Sequence, residues 1–276
     1  MSAATLTFAR KRRGVLTGHL ASWTCAFILI AFWQLLATLG HSLYFPPPSE
    51  IFLNMYDLWF SAGLHDGIVT AAFRQDIVPS VDRLVVSLVF AWVIGIAAGI
   101  FLGRLHHVAP FVEPILHFMR ALPGPVLLPL ALVLVGTGDD MRVGLIVFGA
   151  VWPVLFNTYS AVLQVPESYL ENALVAHRSR TSVLFQVLLP SSSSAVLAGM
   201  RVSAGLGVIL LVASELVAAS NGIGFGLTQS QRLFNFMGMW SFIAALSILG
   251  YLLNLLLSLF ERIFLGWHKQ LKALED

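Results

Sequence analysis

The chain is short of charge and almost empty of cysteine. Asp, Glu, Lys and Arg together supply 11% of its 276 residues, where a soluble domain carries about a quarter. Water is therefore a poor solvent for most of its surface. The single cysteine, Cys25, excludes an intramolecular disulfide and any metal site built from cysteines. A net charge of +2 gives no broad basic field for nucleic acid. No G-x-x-x-x-G-K-[ST] segment is present to cradle nucleotide phosphates, so ATP hydrolysis is not expected in this chain. The eight histidines are scattered. His106-His107 sit side by side, point apart on a helix and lack a third ligand, so a polar interfacial loop is the simpler reading. A membrane enzyme would need clustered acid, base, nucleophile or metal ligands; neither that nor a bound cofactor is expected.

Apolar surface is abundant. Hydrophobic residues make up 58% of the chain and mean hydropathy is +0.84. Runs long enough to span a bilayer occur at 20–40, 82–103, 112–136, 143–163, 196–219 and 238–261. Each is close to the ~20 residues that ~30 Å of hydrocarbon requires. Lipid offers no partner to a free peptide group, so these continuous runs predict an all-α polytopic protein with about six transmembrane helices. The basic patch Arg10, Lys11, Arg12, Arg13 followed by an apolar run resembles a signal sequence. The run is longer than an h-region and has no small-x-small cleavage site, so it reads as an uncleaved first helix.

Six crossings put both ends on one side. If that side is the cytoplasm, the segments 1–19, 104–111, 164–195 and 262–276 hold ten Lys or Arg residues, and 41–81, 137–142 and 220–237 hold only Arg74, Arg142 and Arg232. This satisfies the positive-inside bias. The expected organisation is a cytoplasmic tail over 1–19, a membrane domain over 20–265 and a cytoplasmic tail over 266–276. The outer segment 41–81 opens on Pro46, Pro47 and Pro48. It continues with Phe52, Met55, Tyr56 and Trp59 at helical spacing, which suits a helix lying in the interface better than a seventh crossing.

The inner segment 164–195 is too long for a plain connector. Pro166 suits the start of a helix, and Glu167 and Glu171 fall in its first turns, where negative charge is favourable. A second apolar stretch, Val183 to Leu189, leads to Pro190 and four serines. Glu171-Asn172-Ala173, three residues, His177, nine residues and Val187-Leu188-Leu189-Pro190 come in succession. That pattern resembles the cytoplasmic EAA loop of bacterial ABC importer permeases, with Asn172 in place of an alanine and His177 in place of the glycine. Further likeness to the permeases of taurine, alkanesulfonate and nitrate-type importers lies in four segments. These are Pro48-Ser49-Glu50, Arg120 to Pro125, Phe156-Asn157-Thr158 and Ala213 to Gly224.

The resemblance implies a coupling loop that docks on a separate ABC ATPase subunit, two copies per transporter. Glu171 and Ala173 would lie on the docking face, and Leu189-Pro190 would link rigidly into the fifth helix. It also implies a periplasmic or lipid-anchored substrate-binding protein, and a second permease copy forming a homodimer in the inner membrane. The cargo would be a small, anionic, sulfonate- or nitrate-like solute. An ion-coupled secondary transporter is the alternative, and would call for inverted repeats and mid-membrane carboxylates; no repeat is visible.

Several membrane residues are candidates for the translocation pathway. Glu215 lies near the outer end of the fifth span; an intramembrane carboxylate either serves function or bonds to a neighbouring helix. Arg201, fourteen residues away, cannot reach it within the helix. Glu113, His117 and Arg120 share a face of the third span, and Pro123, Pro125 and Pro129 should kink or unwind the rest of that span. Gly95, Gly99 and Gly103, and likewise Gly199, Ser203 and Gly207, form small-residue faces for close helix packing. Gly222, Gly224 and Gly226 read as a turn.

Overall fold

The computed structural model describes residues 23–61, 69–105 and 107–264. The two tails, with Arg10 to Arg13, Lys269 and Lys272, and also His106, lie outside them. Among the described residues, five helices are long and apolar enough to cross a membrane, or up to six if one bent pair forms a single span. The described residues form two units.

The first unit comprises residues up to Thr70 together with Ser230–Ser241. It contains α1 (Trp23–Gly40) and α2 (Pro48–Trp59). Pro48 starts α2 at a position whose missing N–H costs nothing. The next N–H, on Ser49, donates to Oε1 of Gln34 (3.0 Å), and Nε2 of Gln34 donates to Ser49 Oγ (2.9 Å). Twelve residues reach ~18 Å, too short to span. Ile51, Met55 and Trp59 are buried while Phe52, Leu53 and Tyr56 stay exposed.

The second unit, Ala71–Gln229 with Phe242 onward, holds the core. Its elements are α3 (Ala71–Arg104), α4 (Ala109–Ala121), a 3-10 turn (Gly124–Leu127), α5 (Leu128–Val135) and α6 (Asp139–Leu163). They are followed by α7 (Glu167–Val175), α8 (Arg180–Val183), a π-helical turn (Leu184–Leu188), α9 (Leu189–Ala218), α10 (Ile223–Arg232, its last residues grouping with the first unit) and α11 (Phe236–Phe264, likewise from Phe242).

The small-residue faces are what bring α3, α6 and α9 together. Gly95, Gly99 and Gly103 of α3 lie against Val154, Thr158 and Val162 of α6, so close that a Cβ on Gly99 would stand 2.7 Å from the Leu155 carbonyl. Gly199 meets the backbone of Pro153, Ser203 donates to the Ala150 carbonyl (2.6 Å), and Gly207 abuts Leu88 of α3. These contacts are within one chain. Dispersion at such short separation, rather than water exclusion, drives helix pairing in lipid. Leu84, Leu88, Ile146, Val154, Leu155 and Leu211 fill the core between them.

Three elements differ most from the expected spans, and α9 is one of them, beginning at Leu189, seven residues before 196. Helix α3 begins eleven residues before 82, because Arg74, Gln75 and Asp76 depress hydropathy without disfavouring a helix. The third run is not straight: α4 and the segment Gly124–Val135 meet at 82°.

Candidate functional site

The residues singled out in sequence fall at three places, all in the second unit. At the first, α7 ends in a Schellman-type turn. The Arg178 N–H donates to the Ala173 carbonyl (3.0 Å), and Ala176 N–H to that of Asn172 (3.0 Å). His177 occupies the left-handed position with φ +50. The glycine-type turn is thus kept, at a cost of about 1–2 kcal/mol for a residue with a Cβ. Ser179 then caps α8, its Oγ accepting from Ser182 N–H (3.2 Å). Helical geometry continues through Leu189 and Pro190, because the Leu189 N–H reaches back five residues to Leu184. That wider turn makes room for a proline that cannot donate and would crowd the carbonyl four residues earlier. Val162, Val165 and Leu188, with Leu170, Val183 and Leu184 against them, pin the turn to α6. A groove of about 990 Å³ opens between these elements, lined by Asn157, Gln164, Tyr169, Asn172, Arg178 and Gln186 among others. Glu171 and Asn172 are exposed, as are Tyr169, Val175 and Phe185. Ala173 does not join Glu171 on that face: it is 7% exposed. Two residues advance a helix by about 200°, which turns Ala173 inward under the cap.

The second place is the break after α4. Leu122 and Pro123 take extended backbone, and the adjoining 3-10 turn recovers two carbonyls: Pro123 accepts from Val126 N–H (3.0 Å), and Pro125 from Leu128 N–H. Gly124 sits against Leu210 of α9, with no space for a Cβ. On α4, Glu113 accepts a hydrogen bond from the Tyr159 hydroxyl. His117 stacks on Phe156 (centroids 4.6 Å, planes 17° apart), and the Arg120 guanidinium lies 4.7 Å from the centre of the same ring.

The third place surrounds Glu215, whose side chain is fully buried. One carboxylate oxygen accepts from Arg83 Nη1 (2.7 Å) and Ser80 Oγ (2.8 Å); the other accepts from Gly224 N–H (2.9 Å) and lies 2.9 Å from Ser80 Oγ. Ser80 Oγ in turn accepts from Ile223 N–H (2.8 Å). Arg83 also binds Asn221 and the Asp139 carboxylate (2.8 Å), which Arg142 shares (2.8 Å). Gly222 turns at φ +105 directly over the carboxylate. Both oxygens of Glu215 are hydrogen-bonded, so the carboxylate ties α3, α9 and the first turn of α10 together. Arg201 pairs instead with Glu261 of α11 (2.8 Å). Sequence reading missed Arg83, Ser80, Asn221 and Asp139. The usable signal was an arginine at the edge of an apolar run, since a buried carboxylate needs a cation and lipid supplies none.

A family model for the binding-protein-dependent transport system inner membrane component matches residues 93–265. The taurine transport system permease protein TauC of Escherichia coli (strain K12) is 29% identical over 247 residues, 89% of this chain and 88% of that protein. The bicarbonate transport system permease protein CmpB of Synechocystis sp. is 30% identical over 226 residues, covering 79% of this chain and 78% of CmpB. The nitrate import permease protein NrtB of the same genus is 28% identical over 198 residues, 72% of each chain. Among solved structures, an inward-facing MetNI methionine ABC transporter superposes with a TM-score of 0.58 at 22% identity, over 68% of this chain and 94% of the matched one; that likeness concerns the fold. The matched region runs from the middle of α3 through the capped turn and the buried carboxylate to the end of α11, and on these grounds the chain belongs to the binding-protein-dependent transport system inner membrane component family, as a multi-pass permease of an ABC importer.

Proposed function

We propose that this permease carries a small anionic solute into the cytoplasm, driven by ATP hydrolysis in two copies of a separate subunit seated on the 166–190 loop. The observation that carries this reading is the capped turn. A helix is held rigidly to the bundle by Val162, Val165 and Leu188 while Glu171, Asn172, Val175 and Phe185 face outward with nothing covering them. A rigid lever with a mixed polar and apolar tip suits transmission of a partner's closure into the membrane helices, a two-state rigid-body coupling. Continuity of helix from Arg180 through Leu189 and Pro190 into α9 supports this, because motion of the capped turn that follows α7 passes into α9 without a further break.

Charge asymmetry supports cytoplasmic termini and a cytoplasmic turn. The names of the relatives, which refer to taurine, nitrate and bicarbonate, support a cargo that bears an oxyanion group, and the family's dependence on a binding protein supports delivery by a substrate-binding protein. A second copy of the permease would complete the pathway. The ion-coupled alternative gains nothing from Glu215, whose oxygens are all engaged.

The test is co-purification with an ABC ATPase subunit co-expressed with this chain. Deleting 168–180 should abolish it, and trimming 266–276 should not. Full co-purification of the 168–180 deletion overturns the reading.

A further inference from the structure

The geometry points to Arg120 as an oxyanion contact on the translocation path: an exposed guanidinium over the Phe156 ring, available to a sulfonate, carboxylate or nitrate group. This rests on the permease reading above and adds the chemical class of the cargo and the residue that meets it.

Three observations carry it. The first is depth. Phe156 stands seven residues, ~10 Å, before the end of α6 at Leu163. Gly149, seven residues further into α6, meets the same Leu210 that Gly124 meets. The break just beyond Arg120 therefore packs near the middle of α6, and Arg120 lies inside the thickness a bilayer would occupy. The second is restraint. An arginine at such a depth on a lipid-facing surface extends toward the interface. Here the guanidinium instead folds onto the Phe156 ring, 4.7 Å from its centre. Arg120 is exposed and, among the described residues, has no ion-pair partner. The third is the backbone beside it. Leu122 and Pro123 leave helical geometry, and Pro123 and Pro125 are exposed. Irregular backbone at membrane depth is tolerated against protein or water, not against lipid. A pinned cation beside irregular, exposed backbone describes the wall of a water-filled passage.

Stacking explains the choice of arginine. A guanidinium over a ring keeps donors that can make two parallel bonds to an oxyanion, which an ammonium cannot do. The neighbouring groups on this wall are His117, stacked on the same ring, and Glu113, seven residues back along α4 and already accepting from Tyr159. Glu113 would repel an anion that lingered, so the contact is a transient one, suited to passage rather than storage.

Two measurements test this. In a Cys25→Ser background, Arg120→Cys and Phe118→Cys are labelled in membrane vesicles with the anionic thiol reagent sulfonatoethyl methanethiosulfonate. Phe118 is exposed on another face of α4, and Arg120→Cys is expected to react at least tenfold faster. Equal rates overturn the placement on a water-filled path. In proteoliposomes holding permease, ATPase and binding protein, uptake of labelled taurine, nitrate and bicarbonate is measured per ATP hydrolysed. Arg120→Gln should lower that ratio at least tenfold for whichever oxyanion the parent imports, and Arg120→Lys should lower it less. An unchanged ratio in Arg120→Gln overturns the inference. A parent that assembles with its ATPase but imports none of the three oxyanions also overturns it, and leaves the permease reading standing. A parent that fails to assemble defeats the permease reading instead, and the thiol-labelling comparison still decides the inference.

Discussion

Replacing Glu215 by glutamine is the sharpest perturbation of the bundle. The side chain keeps its shape, so no cavity opens, and the effect isolates charge and hydrogen-bond polarity. One glutamine oxygen can still accept from Arg83, now as a neutral acceptor. The amide NH2 then replaces the oxygen that accepts from Gly224 N–H at 2.9 Å, setting donor against donor. Arg83 retains Asp139, but that carboxylate is 63% exposed and screened. Breaking a buried pair by removing one partner costs about 3–5 kcal/mol. With Asp139 and Asn221 still in place the lower end applies, about 3 kcal/mol. In a chain of this size that corresponds to a fall of roughly 5–10 °C in the unfolding midpoint, readable by fluorescence-detected size exclusion of the detergent-purified protein. Because the groups act as one network, Arg83→Met combined with Glu215→Gln should be less harmful than the sum of the two, by at least ~1 kcal/mol. A midpoint within 1 °C of the parent, or strict additivity, refutes the tether. A variant with normal stability but no uptake would make Glu215 a pathway group after all.

Two further substitutions probe the fold. His177→Gly removes a Cβ from a residue at φ +50 and should stabilise the turn by about 1 kcal/mol, raising the unfolding midpoint while ATPase co-purification persists; a lower midpoint or loss of the ATPase contradicts the assigned turn. Gly99→Val places atoms where a Cβ already stands 2.6 Å from Thr158 and 2.7 Å from a backbone carbonyl. It should cost at least 1–3 kcal/mol and lower the yield of monodisperse protein, whereas an unchanged yield and midpoint would mean that α3 and α6 pack elsewhere.

The long apolar runs were legible because hydropathy over ~20 residues is a one-dimensional property. The first turns of α3 were not, since Arg74, Gln75 and Asp76 imitate a loop in any hydropathy window. Pro123 and Pro125 announced a disturbance, but not its 82° angle or the approach of Gly124 to Leu210, a contact between distant segments. The motif spacing around 171–190 puts a turn at His177, and the backbone there has φ +50. That His177 would keep the glycine's backbone angle was open in sequence, because the alternative, a differently built turn, also fits the spacing. Glu215 stood out as an intramembrane charge, yet the choice between cargo contact and tether needed Arg83, 132 residues away. Ala173 shows the opposite limit: helical geometry alone separates it from Glu171, and a motif taken as a unit obscured that.

The most direct test of a permease worked from outside the membrane is a cross-link from the exposed tip of α7. In a Cys25→Ser background, Glu171→Cys should form a disulfide or short bifunctional cross-link to the ATPase subunit in inside-out vesicles, with a yield that changes when nucleotide is added. Asp57→Cys, exposed on α2, should give none. A cross-link from Asp57→Cys, or none from Glu171→Cys in a complex that hydrolyses ATP, would contradict both the docking surface and the orientation of the chain.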